Sequence, residues 1–327
     1  MTDLMLEKAA RLLRPVQDFP KKGILFFDIQ PVLRDYRVVH HLIENISALW
    51  ADDEVDVIAG FDARGFIIGQ ALALMMGLPF EQIRKKGKLP GKVMDESYKL
   101  EYGEATVEMI DDGFIKGKRV LLVDDLLATG GTALAGANLV ERLGGTVVGF
   151  CAVTEIPHLG GRGKLEKYRV ESLISIIDNQ PVVGVEYCVD MFTRDFNTGE
   201  LILVNRIGDE LTKGLAMPGG RIERESPQVA AFRELEEETG CKARTIKFLG
   251  ILSGLGRDPR GPKVSVVMGV STDASQTRNE PGLTEVVKVS PNQPLPAVEK
   301  FAFDHGSFVY KVTKTIAEEE AKEVMVS

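Results

Sequence analysis

At Val120–Thr132 (VLLVDDLLATGGT) a short apolar run meets two adjacent carboxylates, Asp124 and Asp125, and then a loop of small residues. The loop opens a stretch with helical spacing, from about Gly131 to Leu143. Few folds accommodate such a string. A strand of branched apolar residues needs helices over its faces, and functional loops then gather at the carboxyl ends of the strands. Three further runs, Val55–Ala59, Val147–Val153 and Leu173–Ile177, repeat the strand pattern. Helical stretches lie between them, with Gly65–Met76 stopped by Gly77 and Gly131–Leu143 stopped by Gly144–Gly145. The spacing predicts parallel βαβ units.

The pattern changes after Asp178–Pro181. Two strand-like runs, Gly184–Thr193 and Leu201–Asn205, flank Asp195–Glu200, whose Asn197-Thr198-Gly199 has hairpin turn chemistry. A helix is expected at Pro227–Thr239, then strands at Ile246–Leu252 and Val264–Val270. Thr272–Pro296 reads as a long surface loop crossed by a short strand, and Ala317–Val326 as a solvated helix. The expected class is therefore α/β, a parallel-sheet domain followed by a mixed-sheet α/β domain. The boundary is placed near residue 180, giving domains 1–180 and 181–327. A chain of 327 residues is long enough for both.

Composition removes several function classes. A net charge of −8 argues against a broad nucleic-acid footprint, which needs a basic face. No run reaches the ~18 apolar residues of a membrane span, and MTDLMLEKAARLL lacks the apolar core of a signal peptide. Cys151, Cys188 and Cys241 have no paired spacing and read as reduced thiols; the four histidines have no zinc-ligand spacing. The expectation is a cytoplasmic protein acting on small molecules, without nucleic-acid or membrane partners.

In the first motif, glycines let backbone N–H groups approach a phosphate, and the helix N-terminus adds partial positive charge. Thr129 and Thr132 can donate further hydrogen bonds, while the upstream carboxylates suit sugar hydroxyls or a magnesium ion. The string resembles the signature of type I phosphoribosyltransferases, and most closely that of the adenine-specific branch, over roughly residues 10–178. Asp18–Asp28 (DFPKKGILFFD), Gly60–Gly69 (GFDARGFIIG), Arg84–Gly91 (RKKGKLPG) and Tyr98–Gly103 (YKLEYG) carry the rest of the likeness. The resemblance implies that Asp124 and Asp125 hold ribose hydroxyls and that Leu126 and Ala128–Thr132 (Ala128, Thr129, Gly130, Gly131, Thr132) hold the 5′-phosphate. It implies that Arg64, Lys85 and Lys88 meet pyrophosphate, and that Glu101 assists a proton at the purine beside Tyr102. Phe26 would stack on adenine, although an aromatic in an apolar run also reads as core; Lys85, Lys86 and Lys88 also read as solvated loop charges. Phe27 stands where the family usually has a basic residue. A homodimer and Mg2+ follow from the same resemblance.

In the second motif, Gly219–Cys241 (GGRIERESPQVAAFRELEEETGC), the helix places Glu234, Glu237 and Glu238 at i, i+3 and i+4, so their carboxylates share one side. Their repulsion gains nothing structurally and is offset by a hard divalent cation. Arg233 can brace the cluster through Glu237. The string resembles the Nudix box of Nudix hydrolases, with Cys241 at an aliphatic position and Arg224 replacing a common glycine. That resemblance implies Glu234, Glu237, Glu238 and the Gly219 carbonyl as ligands of Mg2+, with Mn2+ also admissible. A later carboxylate, Glu285 or Glu280, would join them. Arg257–Gly261 (RDPRG) and Phe301–His305 (FAFDH) resemble the ADP-ribose branch, in which Arg260 would contact substrate; Asp-Pro-Arg-Gly is equally good turn chemistry. His305 reads as an ordinary polar residue rather than a catalytic base.

Overall fold

The computed structural model describes residues 3–99, 104–207, 212–280 and 282–326, with side chains of the last segment described through Ile316. The chain divides into two compact units, Met1–Val185 with Arg224–Ser226, and Glu186–Glu223 with Pro227–Ser327.

The first unit is built on an eight-stranded sheet. Its centre is parallel, in the order Phe80–Lys85, Val57–Phe61, Arg119–Leu127, Thr146–Glu155, Arg169–Ile177. Alternate residues of each strand enter different cores, as a pleat requires. Ile58, Leu121, Val123 and Cys151 pack with Ile68 and Leu72 of helix Arg64–Met76 and with Leu42 and Ile46 of helix Tyr36–Leu49. Val57, Ala59, Val120 and Leu122 pack with Ala133, Leu139 and Val140 of helix Gly131–Arg142. Both faces are thus covered, and each fully buried Leu or Ile contributes about 1.5–3 kcal/mol. Gly77, with φ of +67°, ends helix Arg64–Met76.

Sequence periodicity missed the edges of this unit. Phe80–Lys85 continues into an antiparallel pair, Val93–Lys99 and Glu104–Ile110, and Gln180–Val183 closes the other edge against Arg169–Ile177. A separate ribbon joins Arg14–Gln17 to Leu25–Asp28.

The second unit has a mixed sheet in which Glu186–Asp195 runs parallel to Lys263–Thr272 and antiparallel to Leu201–Arg206. The expected hairpin forms, with Asp195 Oδ1 accepting from the backbone of Asn197 (2.6 Å) and Thr198 (3.0 Å). Helix Pro227–Thr239 covers one face through Ala230, Ala231 and Leu235 against Val189, Met191, Val266 and Met268. Helix His305–Val326 covers the other, where Val309 packs with Phe192, Leu203 and Val267. The expected tail helix is therefore the end of a longer one. No helix among the described residues is long and apolar enough to cross a membrane.

Candidate active sites

Strand Arg119–Leu127 does not stop at Val123, as the run of apolar residues predicts, but carries Asp124 and Asp125 within it. Pairing persists because Asp124, Leu126 and Leu127 lie opposite Ala152, Thr154 and Glu155, and the Thr154 hydroxyl donates to the Asp125 carbonyl at 2.8 Å. The two carboxylates are consequently held rigidly. Asp124 Oδ1 accepts the Asp125 amide at 2.8 Å, and Asp125 Oδ2 meets Arg64 Nε at 2.8 Å. Burial, reinforced by the charge of Asp125, pushes the Asp124 carboxyl well above the carboxylate range. Burial raises Asp125 as well, against the pull of Arg64. Such a pair is stabilised by any incoming hydroxyl donor or cation.

The chain then turns at Ala128–Gly130 and enters the helix at Gly131. Gly130 adopts φ of +76°, and a Cβ there would lie 2.7 Å from the Gly161 carbonyl oxygen. Glycine is required twice over, by conformation and by approach. Gly161 is fixed in turn by a buried clamp next to it. Arg162 donates to Glu155 at 2.7 Å and to the Val170 carbonyl at 2.5 Å. Asp62, Arg64, Lys85, Tyr98, Asp124 and Thr132 line a cleft of about 190 Å³ at this strand end. The Thr132 hydroxyl donates to Tyr98 Oη at 2.9 Å.

Phe26 stands beside the cleft, with the Arg64 guanidinium 5.4 Å from its ring centre and Phe19 edge-on at 5.1 Å. Phe27 has the opposite pleat and packs on the core that includes Leu13 and Ile29. Lys88 presents its backbone to Glu108, whose Oε1 accepts the amides of Lys88 (2.8 Å) and Leu89 (2.9 Å). Its side chain is exposed and is not part of the cleft lining. Glu108 is 2% exposed, and a charge inside the run Thr-Val-Glu-Met-Ile was the available signal for this anchor. Glu101 and Tyr102 lie outside the described residues.

In the second unit, Gly219 lies on the short strand Gly219–Arg221 and its amide donates to Glu238 Oε2 at 2.8 Å. Close packing makes the glycines necessary: a Cβ on Gly219 would fall 2.2 Å from the Val189 carbonyl, and one on Gly220 would fall 2.2 Å from the Glu234 carboxyl. Arg233 Nη1 binds Glu234 (2.6 Å) and Glu237 (3.3 Å), while its Nη2 donates to the Arg221 carbonyl at 2.9 Å. Arg206, absent from the sequence reading, lies 3.5 Å from Glu238. Burial pushes the Glu238 carboxyl up to about 7, and Glu234 and Glu280 add to the rise.

The two later carboxylates, Glu280 and Glu285, differ in strand register. Arg206 pairs with Thr284, whose hydroxyl donates to the Glu238 carbonyl, whereas Asn205 pairs and hydrogen-bonds with Glu285. Alternation therefore sets Glu285 beside Asn205, on the other side of the strand from Arg206, while the charge of Glu280 is felt at Glu238. Among the described residues no three acidic, histidine or cysteine side chains already form a metal cage. Oxygen donors concentrated around a buried carboxyl nevertheless fit a hard divalent cation.

Arg260 turns back onto Asp258 (Nε–Oδ1 3.0 Å, Nη2–Oδ2 2.8 Å), with Phe303 beneath its guanidinium at 5.1 Å. Arg257 pairs with Asp304 at 2.7 Å, so the segments around 257–261 and 301–305 meet. His305 is 3% exposed, accepts the Met217 amide on Nδ1 at 3.2 Å, and sets Nε2 3.1 Å from Asp190 Oδ2. It supports the loop that leads into Gly219.

Comparison with known proteins separates the same two halves. A phosphoribosyl transferase domain model matches residues 29–190, and a NUDIX domain model matches residues 186–312. The adenine phosphoribosyltransferase of Cereibacter sphaeroides is 50% identical over 168 residues, which covers 51% of this chain and 94% of that protein. The crystal structure of adenine phosphoribosyltransferase from Thermoanaerobacter pseudethanolicus is 45% identical, with a TM-score of 0.51, and covers 52% of this chain and 99% of that one. The Giardia lamblia enzyme complexed with 9-deazaadenine is 33% identical, with a TM-score of 0.50, and covers 53% and 98% of the two chains.

Proposed function

Because the chain belongs to the adenine phosphoribosyltransferase family over its first half and continues into a Nudix domain, we propose that it is a bifunctional nucleotide-metabolising enzyme. Residues 1–180 would join adenine to phosphoribosyl pyrophosphate, giving AMP and pyrophosphate. Residues 181–327 would hydrolyse a nucleoside diphosphate derivative, ADP-ribose, to AMP and ribose 5-phosphate. The observation that carries the first reading is the convergence of Arg64, Asp124, Asp125 and Thr132 at one strand end.

In the transfer, the bond from sugar C1 to the pyrophosphate oxygen breaks as the bond from C1 to the purine nitrogen forms. The purine proton is lost, and Glu101 is the group assigned to receive it. The transition state has cation-like carbon and developing charge on the leaving oxygens, so Arg64 and Lys85 stabilise it electrostatically. Asp124 and Asp125 hold the ribose hydroxyls, which orients C1, and the Ala128–Thr132 backbone holds the 5′-phosphate. Phe26, beside Arg64, is placed to cover the base. Mg2+ bound with the substrate would neutralise pyrophosphate charge.

In the hydrolysis, water adds to a diphosphate phosphorus and the bridging oxygen leaves with a nucleoside monophosphate or sugar phosphate. Glu234, Glu237, Glu238, the Gly219 carbonyl and a later carboxylate, Glu280 or Glu285, would hold Mg2+ or Mn2+, which would supply charge to activate water and to screen the diphosphate. Arg206 and Arg233 keep the acidic cluster in place. ADP-ribose is favoured because the segments that resemble that branch are tied together through Arg257 and Asp304.

The test is direct. The protein with Mg2+ should form AMP from adenine and phosphoribosyl pyrophosphate, and AMP with ribose 5-phosphate from ADP-ribose. Absence of AMP from adenine sinks the first assignment. Turnover of an oxidised nucleoside triphosphate or dinucleotide polyphosphate in preference to ADP-ribose sinks the second.

A further inference from the structure

The two faces of the second unit's sheet are covered unequally. Pro227–Thr239, with the acidic cluster, lies on the face of Val189, Met191 and Val266. On the other face the helix from His305 packs on the sheet through fully buried Val309 and partly buried Phe308, Val312 and Ile316. A cleft of about 810 Å³ remains between them, within the ~300–1,000 Å³ range of small-molecule sites. Its helix wall is Phe308, Lys311, Val312, Thr315 and Ile316, the i, i+3, i+4, i+7, i+8 stripe of one face. Phe192 and Leu249 supply the apolar sheet wall.

Charge selects among occupants. The chain carries −8, yet Lys247, Lys311 and Arg194 all line this cleft. Asp195 is the acidic residue of the lining, and its carboxylate already accepts the amides of Asn197, Thr198 and Ala274 at 2.6, 3.0 and 2.7 Å. Among the described residues neither Lys247 nor Lys311 has an ion-pair partner. An apolar trough with ammonium groups at its rim is complementary to an amphipathic anion.

We propose that this cleft is a second ligand site of the unit, taking an organic anion with an apolar body and one acidic head. The body lies along Phe192, Leu249, Phe308 and Val312, and the head meets Lys247 and Lys311. The site is separate from the acidic cluster, being on the opposite face and towards the Asp195 end of strand Glu186–Asp195 rather than its Asp190 region.

Two sources share this chemistry, acyl carboxylates and aryl phosphates. Laurate and 1-naphthyl phosphate are therefore titrated into the full chain by calorimetry. At least one should saturate at one per chain. The double substitution Lys247→Glu/Lys311→Glu should weaken it roughly tenfold or more, and Thr315→Trp should block it by filling the trough. All three positions are exposed, so the melting temperature should hold and Mn2+ binding to the acidic cluster should be unchanged. Saturation by laurate alone assigns the acyl source and by naphthyl phosphate alone the aryl source. If neither saturates, or if both variants bind as tightly as the parent, the proposal is overturned.

Discussion

Arg64 illustrates how one side chain serves different partners in turn. Its guanidinium is paired with Asp125 and lies near the Phe26 ring. Pyrophosphate leaving from C1 would recruit that charge when it is most needed. Removing one such donor typically costs ~3 kcal/mol of transition-state stabilisation, so Arg64→Ala should lower transferase kcat/KM on the order of a hundredfold. Steady-state kinetics with varied phosphoribosyl pyrophosphate check this, and an unchanged value would remove Arg64 from the machinery. Glu238 yields a pH prediction. Its carboxyl, pushed up to about 7, binds a proton more tightly than an ordinary glutamate, and metal must displace that proton. Apparent Mg2+ affinity should therefore fall as pH drops below about 7 and level off above it. Calorimetry near pH 6 and near pH 8, in buffers of differing protonation heat, should show proton release only at the lower pH. The sign for folding follows from the same shift. The metal-free second unit loses stability as pH rises from the ordinary glutamate range to about 7, because the folded state holds the extra proton there.

Among the elements, the strand–turn–helix of Arg119–Arg142 depends most on a single residue type. Gly130 combines φ of +76° with a would-be Cβ 2.7 Å from the Gly161 carbonyl. Gly130→Ala should destabilise the turn by more than the ~1 kcal/mol of conformational preference alone, since the Gly161 segment is braced by the Arg162–Glu155 pair and cannot recede. Transferase KM for phosphoribosyl pyrophosphate should rise while ADP-ribose hydrolysis stays constant; equal loss of both would contradict this placement. This element also shows what sequence periodicity can convey. Gly131–Leu143 and Pro227–Thr239 were legible because apolar period and glycine stops coincide in each, and the start of the strand at Val120–Val123 because its residues are all branched and apolar. The strand's continuation through Asp124 and Asp125 was not, since carboxylates lower strand propensity and the compensating hydroxyl, Thr154, lies on another strand. Phe80–Lys85 and its antiparallel neighbours escaped notice for a related reason: charges such as Glu81, Arg84 and Glu108 interrupt their apolar residues. The acidic cluster was legible in its helix but not in its surroundings. Arg206 joins it from a strand far away in sequence, which no local spacing encodes.

At the scale of the whole molecule, two chemistries occupy one chain with separate cores, and this arrangement predicts separable losses. Val123, Cys151 and Ile68 share one core of the first unit, while Met191, Leu235 and Val266 share one in the second. The proposed catalytic carboxylates fall on opposite sides of that division. Glu237 suits a selective test because its side chain is 56% exposed and its ion-pair partner, Arg233, also holds Glu234 and the Arg221 carbonyl. Glu237→Gln should then abolish hydrolysis through loss of a ligand charge, with little effect on the melting profile. Glu238→Gln is a poorer probe, because it also alters the acceptor of the Gly219 amide. On the other side, Asp124→Asn keeps the volume and the oxygen that accepts the Asp125 amide, while removing one charge of a repelling pair. It should weaken the transferase at least tenfold without unfolding the first unit, since relief of the buried charge offsets the lost polarity. Assaying both reactions on both variants gives four rates. Two should fall, each with its own substitution, and two should remain at the parent value. Should either substitution stop both reactions in protein that still melts normally, the sites would be coupled and the assignment of one chemistry to each unit would fail.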